Sequence, residues 1–459
     1  MCIPRAPGRR TRCVLGVVAM LVAGGLLAMF TPTDARAAAA SPPGAEKIIE
    51  LQPVEGDNAP ALRQALAQLA TSPAGGTLRL APGRYLLRAA PATPDHPNYR
   101  LHLMAHGLRR VTIEGASANA GAGADTGAVT IVGSDPAPLL YFHDCHDLTL
   151  RNLTIDWETP SHSAGRVVAV NPADHSIDIE PKDKLSHQPG RIVQAILAYD
   201  PARKSLANSG WEVYQTQGER DDSPTVALPD GNIRIYQKKG TPLPKVGAHI
   251  IARHQVYNHN AFNIVSSSGV VLENVTVHDA PGMGVYASDA TNLTLRKFRV
   301  EPRGDQWMST TADAAHFKGC RGTVTVEDST FAGMGDDAIN IHGLYGRFTQ
   351  RVDARTLAVN AARMHPYYDD PKKPRPWHLP QPGDVLEFGS LDQPLLAQGT
   401  VTVEKAQQDP QQNRTLITLR EPIPAHLVEN ALLANVSASP AVRIRNCTVR
   451  SNRARGFLM

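Results

Sequence analysis

The chain has 459 residues, 42% of them hydrophobic and 20% charged, a globular composition long enough for more than one domain at roughly 100–200 residues each. Its formal net charge is +4, and the five arginines and one aspartate up to Ala37 account for all of it, leaving 42 basic residues against 42 acidic ones. A balanced remainder gives no support for a nucleic-acid partner or an electrostatically captured polyanion.

At the N-terminus, Arg5, Arg9, Arg10 and Arg12 precede an apolar run from Val14 to Phe30, and Ala35 and Ala37 then stand in an A-x-A arrangement. This pattern predicts a signal peptide over 1–37, and with it a secreted or periplasmic protein that does not stay in the membrane after cleavage. The run is about seventeen residues, shorter than the roughly 20 that span a bilayer. Cys2 and Cys13 leave with the leader. Cys145, Cys320 and Cys447 remain, odd in number and without a C-x-x-C spacing, which predicts buried apolar residues and not a disulfide framework or a zinc site.

Residues 45–159 read as an N-terminal cap followed by the first coils of a repeat. Asp57 and Asn58 offer a helix cap, Leu62, Leu66 and Leu69 share one helix face, and GGTLRLAPGRYLL from Gly75 reads as strand, Pro-Gly turn, strand. The repeat shows in VTIEG from Val111, DLTLRNLTI from Asp147, GVVLENVTV from Gly269, NLTLRKFRV from Asn292, TVTVEDSTF from Thr323 and VRIRNCTV from Val442. Each is apolar-x-apolar, two polar residues around Asn, Asp or Gly, then apolar-x-apolar. A second track runs beside it: AFNIV from Ala261, GVYAS from Gly284, AAHFK from Ala314 and AINIH from Ala338. Short strands with period-two alternation, recurring at about 23 residues, predict an all-β parallel β-helix. A leucine-rich repeat needs a denser leucine consensus, and a β-sandwich does not explain the fixed step.

Two segments interrupt the repeat and read as small antiparallel β domains: 160–257, with a hairpin through NPADH, and 346–437, where GTVTVE and RTLITL flank QQDPQQN. Coils carrying the chemistry fall at 258–345, and 438–459 begins further coils. Met459 lies at the end of a strand in a coil that has barely closed. The expectation is a C-terminally truncated chain, less soluble than one extended by further coils.

Aligning the second track puts Asp313 one coil from Asp337, 24 residues on, with Asp336 beside it. Adjacent strands lie about 4.8 Å apart, so three carboxylates are expected to crowd one place, which is costly unless a metal, a shared proton or a reaction uses them. A calcium site needs six to eight oxygens. Glycoside hydrolysis needs one protonated carboxyl and one ionised carboxylate. His342, Asn340 and His316 lie close enough in sequence and register to contact a sugar, and Trp307 offers a ring to stack on one. Each also has an ordinary structural reading. Lys318 and Arg321 read as solvated turn charges, and Asp156 and Trp157 as distant candidates for the same groove.

The stretch ADAAHFKGCRGTVTVEDSTFAGMGDDAINIHG, Ala312 to Gly343, with YFHDCHDLTLRNLTIDW from Tyr141, resembles glycoside hydrolase family 110, bacterial exo-acting α-1,3-galactosidases. The resemblance implies a right-handed parallel β-helix with inserted β-barrel domains, inversion at the anomeric carbon, no metal or other cofactor, and Asp313, Asp336 and Asp337 as the catalytic residues. It implies a carbohydrate substrate with terminal α-galactose, branched and blood-group-B-like or linear. The layout is also similar to polygalacturonases, which by analogy makes Asp336 the acid and lets Asp313 and Asp337 share the base role. The Arg-x-Lys that such enzymes use for a uronate has no counterpart after His342. A polygalacturonase-like hydrolase and a non-catalytic glycan-binding β-helix stay open as alternatives.

Overall fold

The structure, a computed structural model, describes residues 46–91, 100–116, 128–206, 211–214, 223–257, 259–362, 377–393 and 396–459. The expected leader lies outside the described residues.

Three parallel ladders wrap one core. The first joins Lys47–Leu51, Gly76–Leu80, Arg109–Gly115, His146–Trp157, Ser268–Val277, Thr291–Arg296, Arg321–Glu327 and Ala441–Arg445 in that order. A second runs through Gly83–Leu87, Val129–Gly133, the later halves of the two long strands, Arg299–Val300, Thr330–Ala332 and Thr448–Arg450. The third stacks Leu103–His106, Leu140–His143, Phe262–Val265, Val285–Ser288, Ala315–Lys318, Ile339–His342 and Phe457–Leu458. The fold is thus a parallel β-helix, and the steps read from sequence are its registers: Val270 pairs with Leu293, and Leu293 with Val324.

Alternation explains the core. Within each strand every second side chain turns inward, so Leu148, Leu150, Val270, Leu272, Leu293, Leu295, Val324 and Val326 form one apolar column, with Phe298 and Phe331 beside it. Cys145 and Cys320 are buried free thiols in it, whereas Cys447 is partly exposed. Helix Ala59–Ala70 closes one end, burying Leu62, Leu66 and Leu69. Asp57 Oδ1 accepts from Ala59 N, while the Asn58 side chain serves the preceding loop.

The corner between the first two ladders is made by a residue in the left-handed region: Asn152, Asn274, Lys297, Asp328 and Asn446 all have φ between 50° and 59°. Asn and Asp tolerate that conformation better than other non-glycine residues, which is what the recurring Asn or Asp of the template does. Outside, residues in register alternate in charge down eight coils: Glu50, Arg79, Glu114, Arg151, Glu273, Arg296, Glu327 and Arg445. Single exposed pairs of this kind stabilise by about 0–1 kcal/mol, but a one-coil slip would put like charges side by side.

The first insert spans His162 to Arg253 as an eight-stranded antiparallel sheet with its own apolar face, around Val167, Ile177, Ile196 and Ile250. The second, Tyr345–Arg351 through Leu432–Asn435, is a closed six-stranded antiparallel barrel around Phe348, Trp377, Leu386 and Phe388. Arg321 is not a solvated turn charge: its guanidinium pairs with both oxygens of Asp384, at 2.8 and 2.7 Å, and ties coil to barrel.

Candidate active site

The chain passes from the second ladder to the third through a corner that recurs in each coil. In strand register, the residue two before the third-ladder strand is Met283, then Asp313, then Asp337, then Arg455. Backbone bonds hold the stack: Gly284 N donates to Asp313 O, Ala314 N to Asp337 O and Ala338 N to Arg455 O, all within 3.1 Å. Asp336 precedes Asp337 at the same corner. One carboxylate oxygen from each of the three aspartates lies within 4.8 Å of the others, and the residues are only 3%, 8% and 1% exposed in the order 313, 336, 337.

Each carboxylate has a different environment. Asp313 Oδ2 faces His316 Nδ1 at 2.7 Å, and Oδ1 accepts from Asp337 N at 3.3 Å. His316 Nε2 meets His342 Nε2 at 2.8 Å, and His342 Nδ1 meets Gly343 O at 2.7 Å. The carbonyl fixes His342 as an Nδ1 donor, so in its neutral form Nε2 accepts from His316. Asp336 Oδ2 accepts from the Tyr257 hydroxyl, and Arg453 lies 3.5 Å from Oδ1. Burial pushes the Asp336 carboxyl above its ordinary range. The Tyr257 hydrogen bond opposes this, the charges of Asp313 and Asp337 add to it, and Arg453 opposes it. Asp337 is bound on both oxygens by the Arg455 guanidinium, at 2.9 and 2.8 Å. Burial lowers the His342 pKa.

The first insert walls one side of this corner. Arg453 makes a bidentate pair with Glu212 at 2.6 and 2.5 Å and lies over the Tyr214 ring, which Arg253 also approaches. Arg253 is fully buried and donates to Thr311 O and Gly335 O, pinning the two loops that carry the aspartates. Tyr257, Glu212, Tyr214, Arg253, Arg453 and Arg455 are the neighbours that sequence reading missed. For Arg455 a signal existed, since the register that sets Asp337 against Asp313 also sets Arg455 against Asp337.

Of the other expected contacts, His316 and Asn340 are in register on successive coils, and Asn340 Nδ2 donates to Asp337 Oδ2 at 3.2 Å. His316, His342 and Asn340 are therefore gathered with the aspartates. Trp307 is not. Its ring stacks on Tyr199 of the first insert, 4.3 Å between centroids and 7° from parallel, with His249 at its edge. The insert supplies an apolar surface of Leu197, Tyr199 and Ile251, and Trp307 packs there with Met308. Asp156 is buried under Arg303, and Trp157 donates to Asp135 O. As donors for a hard cation the three aspartates fit poorly, because Arg455, Arg453, Tyr257 and His316 already compensate them and such ions take six to eight oxygens.

A parallel β-helix with three buried carboxylates clustered at one corner, two of them one coil apart, has the build of a β-helical glycoside hydrolase. Sequence relatives say more. The chain is 28% identical to an α-1,3-galactosidase A of Shewanella woodyi, over 89% of this chain and 67% of the relative. It is 30% identical to an α-1,3-galactosidase B of Phocaeicola vulgatus, over 70% and 54%, and 26% identical to an α-1,3-galactosidase B of Bacteroides fragilis, over 87% and 69%. The chain is a homologue of these α-1,3-galactosidases, in keeping with the family resemblance of Ala312–Gly343, and it spans from about half to two thirds of the length of the relatives it matches. No family model matches. Among solved structures, the A-module of an Azotobacter vinelandii mannuronan C-5 epimerase aligns over 62% of this chain and 55% of its own at 11% identity, with a TM-score of 0.28, too low to argue from.

Proposed function

We propose that the chain is an inverting exo-glycoside hydrolase, secreted or periplasmic, that removes terminal α-1,3-linked galactose from glycans. The observation that carries this reading is the buried cluster of Asp313, Asp336 and Asp337, in which burial raises the pKa of one carboxyl, Asp336, beside two further carboxylates. Asp336 is the general acid, because burial and its like-charged neighbours favour its neutral form. Asp313 and Asp337 face it across the cluster, and the base comes from that pair. Protonation of the glycosidic oxygen by Asp336 and removal of a water proton by the base let water add to C1 as the C1–O bond breaks.

Exo action follows from the family resemblance; Arg453, Arg455, Glu212 and Tyr214 line the corner where a terminal sugar would sit. The carboxylate spacing does not carry inversion: oxygens within 4.8 Å are closer than the roughly 6.5–9.5 Å common in inverting enzymes. Inversion follows from the family resemblance. The polygalacturonase-like and glycan-binding readings are separated from this one by a substrate panel. Incubation with α-1,3-, α-1,4- and α-1,6-galactobiose and with polygalacturonate, followed by chromatography, is expected to release galactose from the α-1,3 disaccharide alone. Turnover of polygalacturonate, or sugar binding without hydrolysis that survives Asp313→Asn, would replace it.

A further inference from the structure

The three aspartates are not equivalent as acceptors. A carboxylate offers about four lone-pair sites. At Asp337 all four are used: Oδ1 accepts from Arg455 N at 2.8 Å and Arg455 Nε at 2.9 Å, and Oδ2 accepts from Arg455 Nη2 at 2.8 Å and Asn340 Nδ2 at 3.2 Å. One of these donors is backbone, held by the ladder bond from Ala338 N to Arg455 O, so rotation of the guanidinium alone does not free Oδ1. Asp313 has one donor at 3.3 Å on Oδ1 and one imidazole on Oδ2, which leaves lone pairs open on both oxygens.

Asp313 also stands at the head of a line of hydrogen bonds through His316 and His342 to Gly343 O. Asp313 Oδ2 thus has a ring nitrogen beside it, and the line leads away from the cluster. Around it stand Tyr286, whose ring lies against His316, Lys318 on the same strand, and Asp336, Asp337 and Arg455 at the adjoining corner. Asp313 thus keeps acceptor sites open, whereas every acceptor site of Asp337 is met by a guanidinium or amide donor.

We propose that Asp313 alone is the general base, and that Asp337, saturated by Arg455 and Asn340, is a positioning residue that fixes the spacing of Asp313 and Asp336. This rests on the hydrolase reading above. In the reaction, a water O–H breaks and its proton passes to Asp313, the water oxygen bonds to C1, the C1–O bond to the leaving group breaks, and the Asp336 proton goes to the leaving oxygen.

Chemical rescue tests it. An external azide ion needs no base, so a variant lacking the base regains turnover with azide and forms β-galactosyl azide from an aryl α-galactoside. Asp313→Ala is expected to be rescued at least about tenfold with that product, and Asp337→Ala to show no rescue. Rescue of Asp337→Ala to the same or greater extent, or no rescue of Asp313→Ala in an enzyme whose parent is active, overturns the assignment. A second arm needs no turnover and so separates this proposal from the hydrolase reading. Thermal unfolding of Asp337→Asn, Arg455→Gln and their double variant is expected to be non-additive, the double variant melting no lower than the worse single one. Additive losses would show that Arg455 does not hold Asp337.

Discussion

At the scale of single residues, the account turns on Asp336. If it is the acid, Asp336→Asn loses far less activity on an aryl galactoside, whose leaving group needs little protonation, than on α-1,3-galactobiose. Equal losses on both would remove its role. The pH dependence has a definite sign. An acid must be protonated, so kcat/KM falls as pH rises through the Asp336 pKa, which burial raises and the Tyr257 hydroxyl and Arg453 lower. Tyr257→Phe removes the larger of these two opposing effects, and the alkaline fall of kcat/KM is expected to move to higher pH. A shift to lower pH, read from a full profile, would contradict the arrangement. The aspartates were legible because two of them lie one coil apart in a visible repeat. Tyr257 was not, since it reaches Asp336 across 79 residues of sequence separation, and no local pattern encodes that contact. For Trp307 the local pattern showed an aromatic in a coil insertion but not the inserted sheet on which its ring stacks.

The coil as an element was legible for a physical reason. Alternation fixes which side chains turn inward, and the left-handed corner demands Asn, Asp or Gly at one place per coil, so both features recur at the coil length. Lys297 breaks that rule at φ 50°. Its neighbours in the column show what the position prefers, for Asn274 Nδ2 donates to Asn152 Oδ1 at 2.9 Å. Lys297→Asn relieves the conformational cost, which is about 1 kcal/mol, and extends the ladder by one amide. The variant is expected to melt higher than the parent in calorimetry; a lower midpoint would show that the lysine stem contributes more by packing than its backbone costs. The alternating charges from Glu50 to Arg445 were less visible, because their pairing depends on register and not on spacing along any one strand.

For the whole molecule, the inserts do more than interrupt the helix. The first enters through Ser161, whose amide and hydroxyl both donate to Asp279 on the neighbouring coil. Burial pushes the Asp279 carboxyl up to about 8, with Ser161 opposing and Asp156 adding. The folded state then keeps a proton that the unfolded chain has released above its ordinary carboxylate pKa near 4. Stability contributed by this junction is therefore present at low pH and is lost as pH rises from about 4 to about 8. Asp279→Asn is expected to flatten this part of the profile in denaturant unfolding; an unchanged slope across that window would mean that Asp279 is ionised in the folded protein. The same insert reaches the active corner through Glu212 and Tyr214, with Tyr257 just after it, so the site is assembled from an early insert, two middle coils and the coil that follows the second insert. Sequence reading placed the site on the middle coils alone; the insert and the later coil were located as elements but not as parts of the site.

The central claim is tested most directly by proton NMR of the first sugar released from α-1,3-galactobiose, followed from the earliest seconds of the reaction. The account predicts β-galactose first, with the α-anomer growing in only by mutarotation. Initial release of α-galactose would contradict direct attack by water held at Asp313.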